Sequence, residues 1–292
     1  MLDTFSMLVQ GLDHPEGVTW GPDGHLYAGG EAGQIYRAKL DGRVEQIGTT
    51  RCFVLGLALD ANLRVYACDL YHHKVFLFEP STGGLEIYSS GTDEAPLNQP
   101  NYPAFDDAGN LYVSSSGDWG PDDGKLFRIS ATGETSIWST EPDCYTNGCC
   151  LGADGDAIYV VESRRPLVSR IPILADGSAG AREIVTELRG CAPDGIALDV
   201  DGSLYVSCYS PNHIYRITPD GVVELLVEDP SGTMLSTPTN VVFAGDDLDR
   251  LVVANVSRFN LAITQLGVRG LPLRYPAIRR ETVPPSPYIH RF

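Results

Sequence analysis

Lysine is nearly absent. The 292-residue chain carries only Lys39, Lys74 and Lys125, and its 21 Lys plus Arg stand against 38 Asp plus Glu, for a net charge of −17. A phosphate backbone or an anionic bilayer needs a basic face, so nucleic-acid and membrane-surface partners are excluded, and small molecules or cations remain. No cationic stretch followed by an apolar one opens the sequence, and no apolar run approaches the ~18 residues of a membrane span. The expectation is a soluble cytoplasmic protein. The seven cysteines, Cys52, Cys68, Cys144, Cys149, Cys150, Cys191 and Cys208, are odd in number and form no C-x-x-C pair. Most lie in apolar, strand-like stretches, which predicts free buried thiols in a reducing compartment. Also missing are a serine nucleophile elbow, a P-loop and a dinucleotide fingerprint, which argues against serine-hydrolase and nucleotide chemistry. Helical periodicity is absent throughout.

What is there is a repeat. A polar or special residue, a short apolar strand, an Asp/Gly turn and a second strand recur from Glu16, Leu55, Asn101, Asn147, Asp194 and Asn240, at spacings of 39, 46, 46, 47 and 46 residues. Within a unit, alternating β-branched segments read as strands, and Asp23-Gly24, Asp154-Gly155, Asp201-Gly202 and Asp220-Gly221 supply the positive-φ residues of tight hairpins. Third strands follow from Gln34, Lys74, Lys125 and His213, and fourth strands near Arg43 and Val222. Four short strands every ~45 residues predict an all-β fold, a six-bladed β-propeller with four-stranded antiparallel blades around a central channel. Residues 1–292 then form one domain, with the segment Thr4–Val9 supplying the outer strand of the last blade. From about residue 270 to 292, five prolines from Pro272 onward and a cluster of arginines read as an irregular arm over the surface or at a subunit contact, which leaves a homo-oligomer open.

Inner strands of a propeller run beside the channel, so the six lead positions form a ring at one end of it. Five of the six carry side-chain oxygen. Burying two carboxylates and three amides together is costly unless something satisfies them, and one divalent cation (Ca²⁺, Mg²⁺, Mn²⁺ or Zn²⁺) would do so.

The stretches His14-Pro-Glu-Gly-Val-Thr-Trp, Asn98-Gln-Pro-Asn-Tyr-Pro, Thr146-Asn-Gly, Pro193-Asp-Gly-Ile-Ala-Leu-Asp and Pro238-Thr-Asn-Val-Val-Phe-Ala-Gly stand in order and in register with this ring. In them the sequence resembles the SMP-30/gluconolactonase/LRE-like group of six-bladed propellers, over residues 10–275. The resemblance implies that Glu16, Asn147 and Asp194 coordinate a metal, that Asn101 lies close to its water or substrate, and that the reaction is lactone hydrolysis. Asp194, ligated yet with a second oxygen, would then serve as general base.

Two departures bear on the substrate. Sugar-lactone members resemble one another in an Arg two residues before the Asn101 position and in Asn-Asp-Gly there, whereas this chain has Gln99 and Asn101-Tyr-Pro. Loss of a guanidinium removes a bidentate anchor for oxygen-rich substrates. Tyr102, Trp119 in the loop 117–124, Tyr145, Tyr209 and Phe259 suggest a less polar or aromatic small molecule, with Asn240 and His14 as further contacts. Each aromatic taken singly is better explained by packing between blades; it is as a set that they suggest the substrate. A satisfied loop histidine is the favoured account of His14, and His72 and His73 are expected in a solvent-exposed turn. Another metal-dependent reaction on the same scaffold (lyase, isomerase or carbon–carbon bond hydrolase), a metal-free condensation, and a non-catalytic binding propeller are the competing readings.

Overall fold

The computed structural model describes residues 1–285. Among them, 24 strands form six sheets of four, every neighbouring pair antiparallel. The inner strands are Val18–Trp20, Val54–Leu59, Pro100–Phe105, Thr146–Leu151, Ala192–Leu198 and Pro238–Ala244, one for each of blades one to six. The protein is an all-β, six-bladed propeller, as the repeat spacing predicts. Third strands begin at Gln34, Lys74, Lys125 and His213, and fourth strands at Val44 and Val223. Gly24, Gly155, Gly202 and Gly221 all have positive φ, as the Asp-Gly turns require.

The ring is closed by the N-terminal strand Ser6–Gln10. It adds antiparallel to the outer edge of blade six, pairing Ser6 with Ile263 and Gln10 with Asn260. This covers an edge that would otherwise expose unpaired backbone groups. The apolar core lies between blades, where Tyr66, Phe78, Tyr112, Phe127 and Tyr205 are fully buried.

Three of the inner hairpins repeat one buried polar device. Tyr66, Tyr112 and Tyr205 donate their hydroxyls to Asp60, Asp106 and Asp199, six residues earlier in each case. The same aspartates accept backbone N–H groups across the turn, from Arg64, Asn110 and Ser203. Each inner hairpin is thereby fixed from inside at the end opposite the lead residues.

The C-terminal segment crosses that opposite end without forming a strand. Leu271 donates its amide to Leu198 O, Tyr275 its hydroxyl to Trp20 O, and Ile278 O accepts from the Arg64 guanidinium. Residues 271–275 thus run over the channel mouth from blade five to blade one, and residues 286–292 of the arm lie outside the described residues. No helix among the described residues is long and apolar enough to cross a membrane.

Candidate metal centre

Each inner strand from blade two to blade six breaks register where its lead residue sits. The shifts fall between Val54 and Leu57, Pro100 and Pro103, Thr146 and Cys149, Pro193 and Ile196, and Pro238 and Asn240. A bulge frees backbone groups, bends the strand and re-aims a side chain. The freed amides of Tyr102 and Gly195 donate to Ser114 Oγ at 2.9 Å and Ser207 Oγ at 3.1 Å on the neighbouring strand.

Glycine then lets the inner strands approach. A Cβ on Gly148 would overlap the Asp194 carbonyl oxygen, and one on Gly195 would lie 2.6 Å from Asn240 Cα. The two positions bring the Asn147, Asp194 and Asn240 backbones together around the axis. Hydroxyls tie the same stretches between blades: Ser163 Oγ donates to Pro193 O at 2.6 Å, and Thr239 Oγ1 to Glu16 O at 2.7 Å.

Asn101, Asn147, Asp194 and Asn240 are buried, and Glu16 keeps part of its surface open. Burial pushes the Glu16 carboxyl up to about 8. Asp194 is raised well above the usual carboxylate range by burial and by the Glu16 charge, against which the Asn147 amide pulls the other way. Asn147 Nδ2 donates to Ser163 Oγ at 2.9 Å, yet Asn147 Oδ1 is buried with no hydrogen-bond partner. Asn240 Oδ1 is buried and orphaned in the same way. Two mutually repelling carboxylates beside two unsatisfied carbonyl oxygens form an all-oxygen donor set, and that set fits a hard divalent cation.

A model of the SMP-30/gluconolactonase/LRE-like region matches residues 14–257. The chain belongs to that family. No curated protein matches it by sequence. Among solved structures, it is similar to a gluconolactonase from Xanthomonas campestris, with TM-score 0.77 and 19% identity over 90% of this chain and 89% of the other. It is also similar to the calcium-binding protein regucalcin from Agrobacterium tumefaciens, with TM-score 0.74 and 20% identity over 96% of each chain. A virginiamycin B lyase from Staphylococcus aureus gives TM-score 0.64 and 16% identity, over 86% and 80%. At such identities the likeness to these three is one of fold.

Around the ring of this SMP-30/gluconolactonase/LRE-like propeller the remaining expected residues separate into groups. Tyr145 donates its hydroxyl to Gln99 Oε1 at 3.1 Å, and Trp119, 52% exposed, packs edge-on to the Tyr145 ring with centroids 4.7 Å apart. The Tyr145 and Tyr209 phenols are pushed up to about 12 by burial and then by the Asp194 charge. Gln99, Trp119 and Tyr145 therefore form one polar-edged aromatic wall. His14 stands apart, its Nδ1 within 3.0 Å of Asp13 and 2.8 Å of Glu31 and its ring against Phe259 at 4.4 Å.

Tyr102 is not part of the wall. Its hydroxyl donates to Val18 O of blade one at 3.2 Å, and its ring lines a cavity of about 500 Å³ at the opposite end of the channel. That cavity is bounded by apolar residues such as Leu59, Phe105 and Leu198 and by 271–275, and none of the oxygen-bearing lead residues reaches it. Tyr102 is the floor between the two halves of the channel. Ser163 was not singled out from sequence; its only signal there is a small hydroxyl residue just after the second strand of blade four.

Proposed function

We propose that this chain is a metal-dependent hydrolase that opens a cyclic ester, a lactone less polar than gluconolactone or carrying an aromatic group. One observation supports this most strongly: Glu16 and Asp194 share a buried ring with the orphaned carbonyl oxygens of Asn147 and Asn240. Glu16, Asn147 and Asp194 would hold the ion, and Asn240 Oδ1 is available as a further ligand or as a contact to substrate or water.

When bound, a divalent ion supplies Lewis acidity toward an ester carbonyl and toward water. The chain's own residues supply the rest. Asp194 would be one of the residues holding the ion, and its carboxylate would take the proton of the attacking water and return it to the ring oxygen that leaves. Ser163 holds the Asn147 amide through its nitrogen and leaves its oxygen without a protein partner. Asn101 lies in the same ring beside the reacting group. Tyr102 closes the floor, which limits water reaching the centre from below.

The substrate class rests on the wall. Gln99, already engaged by Tyr145, replaces a guanidinium with a neutral amide, while Trp119 and Tyr145 offer ring faces and edges to an apolar or aromatic portion of substrate. An acid-release screen with a pH indicator, run on a panel of sugar, aliphatic and aromatic lactones, tests this reading. Opening of aromatic or aliphatic lactones in preference to gluconolactone supports it, and preference for gluconolactone sinks the substrate assignment.

A further inference from the structure

Blade two is the one blade whose lead residue, Leu55, brings no oxygen to the ring, and its ionisable groups collect farther out. Asp69 ends its second strand, Val65–Asp69, paired in register with Val54. The following turn returns His72, whose backbone amide donates to Asp69 Oδ1 at 2.9 Å and whose Nδ1 lies 3.1 Å from the same oxygen. Cys52 arrives from the loop before the inner strand, where Thr50 Oγ1 donates to Cys52 O at 2.8 Å and fixes the turn. Leu70 N donates to Phe53 O at 2.9 Å and clamps the two segments together. The ligand atoms of Cys52, Asp69 and His72 all lie within 4.8 Å of one another.

A second observation points to a ligand. Asp69 is fully buried, and its Oδ2 has no hydrogen-bond partner. A carboxylate taken out of water with one oxygen unsatisfied is among the costliest arrangements a fold can hold, and a cation relieves it. The cluster of Asp13, His14 and Glu31 differs in this respect. There Asp13 Oδ2 already accepts from Ala32 N and Gln34 Nε2, both at 3.0 Å, so its carboxylate is satisfied.

We propose that Cys52, Asp69 and His72 hold a zinc-class divalent ion with its fourth position open to solvent. One thiolate, one imidazole and one carboxylate make the mixed donor set that tetrahedral Zn²⁺ accepts, and sulfur is a poor ligand for Ca²⁺ or Mg²⁺. Half-exposed His72 gives the ion its entry path, and binding sends the Cys52 thiol proton to water. The ion would pin the Cys52 loop to the turn Leu70–His73. His73 in that turn accepts the Gln99 amide at 3.1 Å, so the clamp borders the aromatic wall. The site is separate from the axial oxygen ring and does not depend on the function proposed above.

Cobalt(II) titration of the full-length, chelator-stripped protein, with Ca²⁺ saturating the all-oxygen ring, tests the proposal. Thiolate ligation produces a near-ultraviolet sulfur-to-cobalt charge-transfer band that oxygen ligands cannot give. The expected result is a band that saturates at one equivalent, disappears on adding Zn²⁺, is absent in Cys52→Ser and needs at least about tenfold more Co²⁺ in His72→Ala. Both side chains are at least partly accessible, and an unchanged circular-dichroism melt of the stripped variants shows that they fold. No band in the wild type, or a band that persists in folded Cys52→Ser, overturns the proposal.

Discussion

Ser163 anchors the Asn147 amide by its nitrogen. Its Oγ accepts from Asn147 Nδ2 at 2.9 Å and donates to Pro193 O at 2.6 Å, which leaves Asn147 Oδ1 pointing away without a donor. An amide oriented by a neighbour outside the ring in this way is ready to give its oxygen to a cation. Ser163→Ala is expected to weaken divalent-ion binding by about 10- to 100-fold while the propeller still folds, as for other residues that orient metal ligands. Titration calorimetry with Ca²⁺ or Mn²⁺ checks this, and unchanged affinity would remove Ser163 from the account.

Glu16 and Asp194 oppose each other in the ion-free protein, since burial disfavours both charges and the Glu16 charge adds to the shift at Asp194. Glu16→Gln should therefore raise the unfolding midpoint of the chelated protein and abolish binding at the ring. Relief of ~1 kcal/mol would be worth roughly 2 °C in a chain of this size. A calorimetric melt with chelator reads the first effect. A lower midpoint for the variant would mean that the two acids are not in conflict.

The same pair gives the protein a pH dependence of definite sign. Glu16 titrates at about 8 in the folded, ion-free state against an ordinary value of 4.5, and Asp194 is also raised. Between those values the folded state binds more protons than the unfolded one, so this pair favours folding most at low pH and loses that contribution as pH rises through about 8. A bound cation reverses the preference by holding both groups ionised. The rise in melting temperature on adding Ca²⁺ to chelated protein should thus be larger at pH 8 than at pH 5. An equal rise at both pH values would contradict it.

Gly148 and Gly195 have no room for a side chain, and the nearest obstructing atoms are backbone. Gly148→Ala must push the Asp194 strand outward. The expected cost is ~1–3 kcal/mol of stability, together with loss of metal affinity because the ring opens. Gly155→Ala, at a turn with nothing within 4 Å of the added carbon, is the control for local strain at a positive φ and should leave affinity intact. Equal affinity in the two variants would show that the close approach does not build the ring.

The blades were legible because each is a local event: alternating apolar residues, an Asp-Gly turn and another strand, repeated at a blade's length. Position in that repeat also put Glu16, Asn147, Asp194 and Asn240 in or just before the inner strands, where the structure has them. What the sequence concealed depends on contacts across blades and on departures from regular pairing. The bulges at the lead residues carry no compositional mark, so neither the serines that accept the freed amides nor the orientation set by Ser163 could be inferred. Tyr102 follows Asn101 directly and read as a mouth residue, yet its hydroxyl reaches across the channel to Val18 O. Cys52 and His72 read as a buried thiol and a surface turn. Only the pairing of Val54 with Asp69 shows that they converge on one buried carboxylate.

The most direct test of the central claim is acid release from the lactone panel by chelated protein, before and after adding back Ca²⁺, Mg²⁺ or Mn²⁺, with Asp194→Asn alongside. The account predicts opening of at least one lactone by wild type, lost on chelation and restored by a divalent ion, and none by Asp194→Asn. Acid release from no lactone under any condition, or release that neither chelation nor Asp194→Asn diminishes, would contradict it.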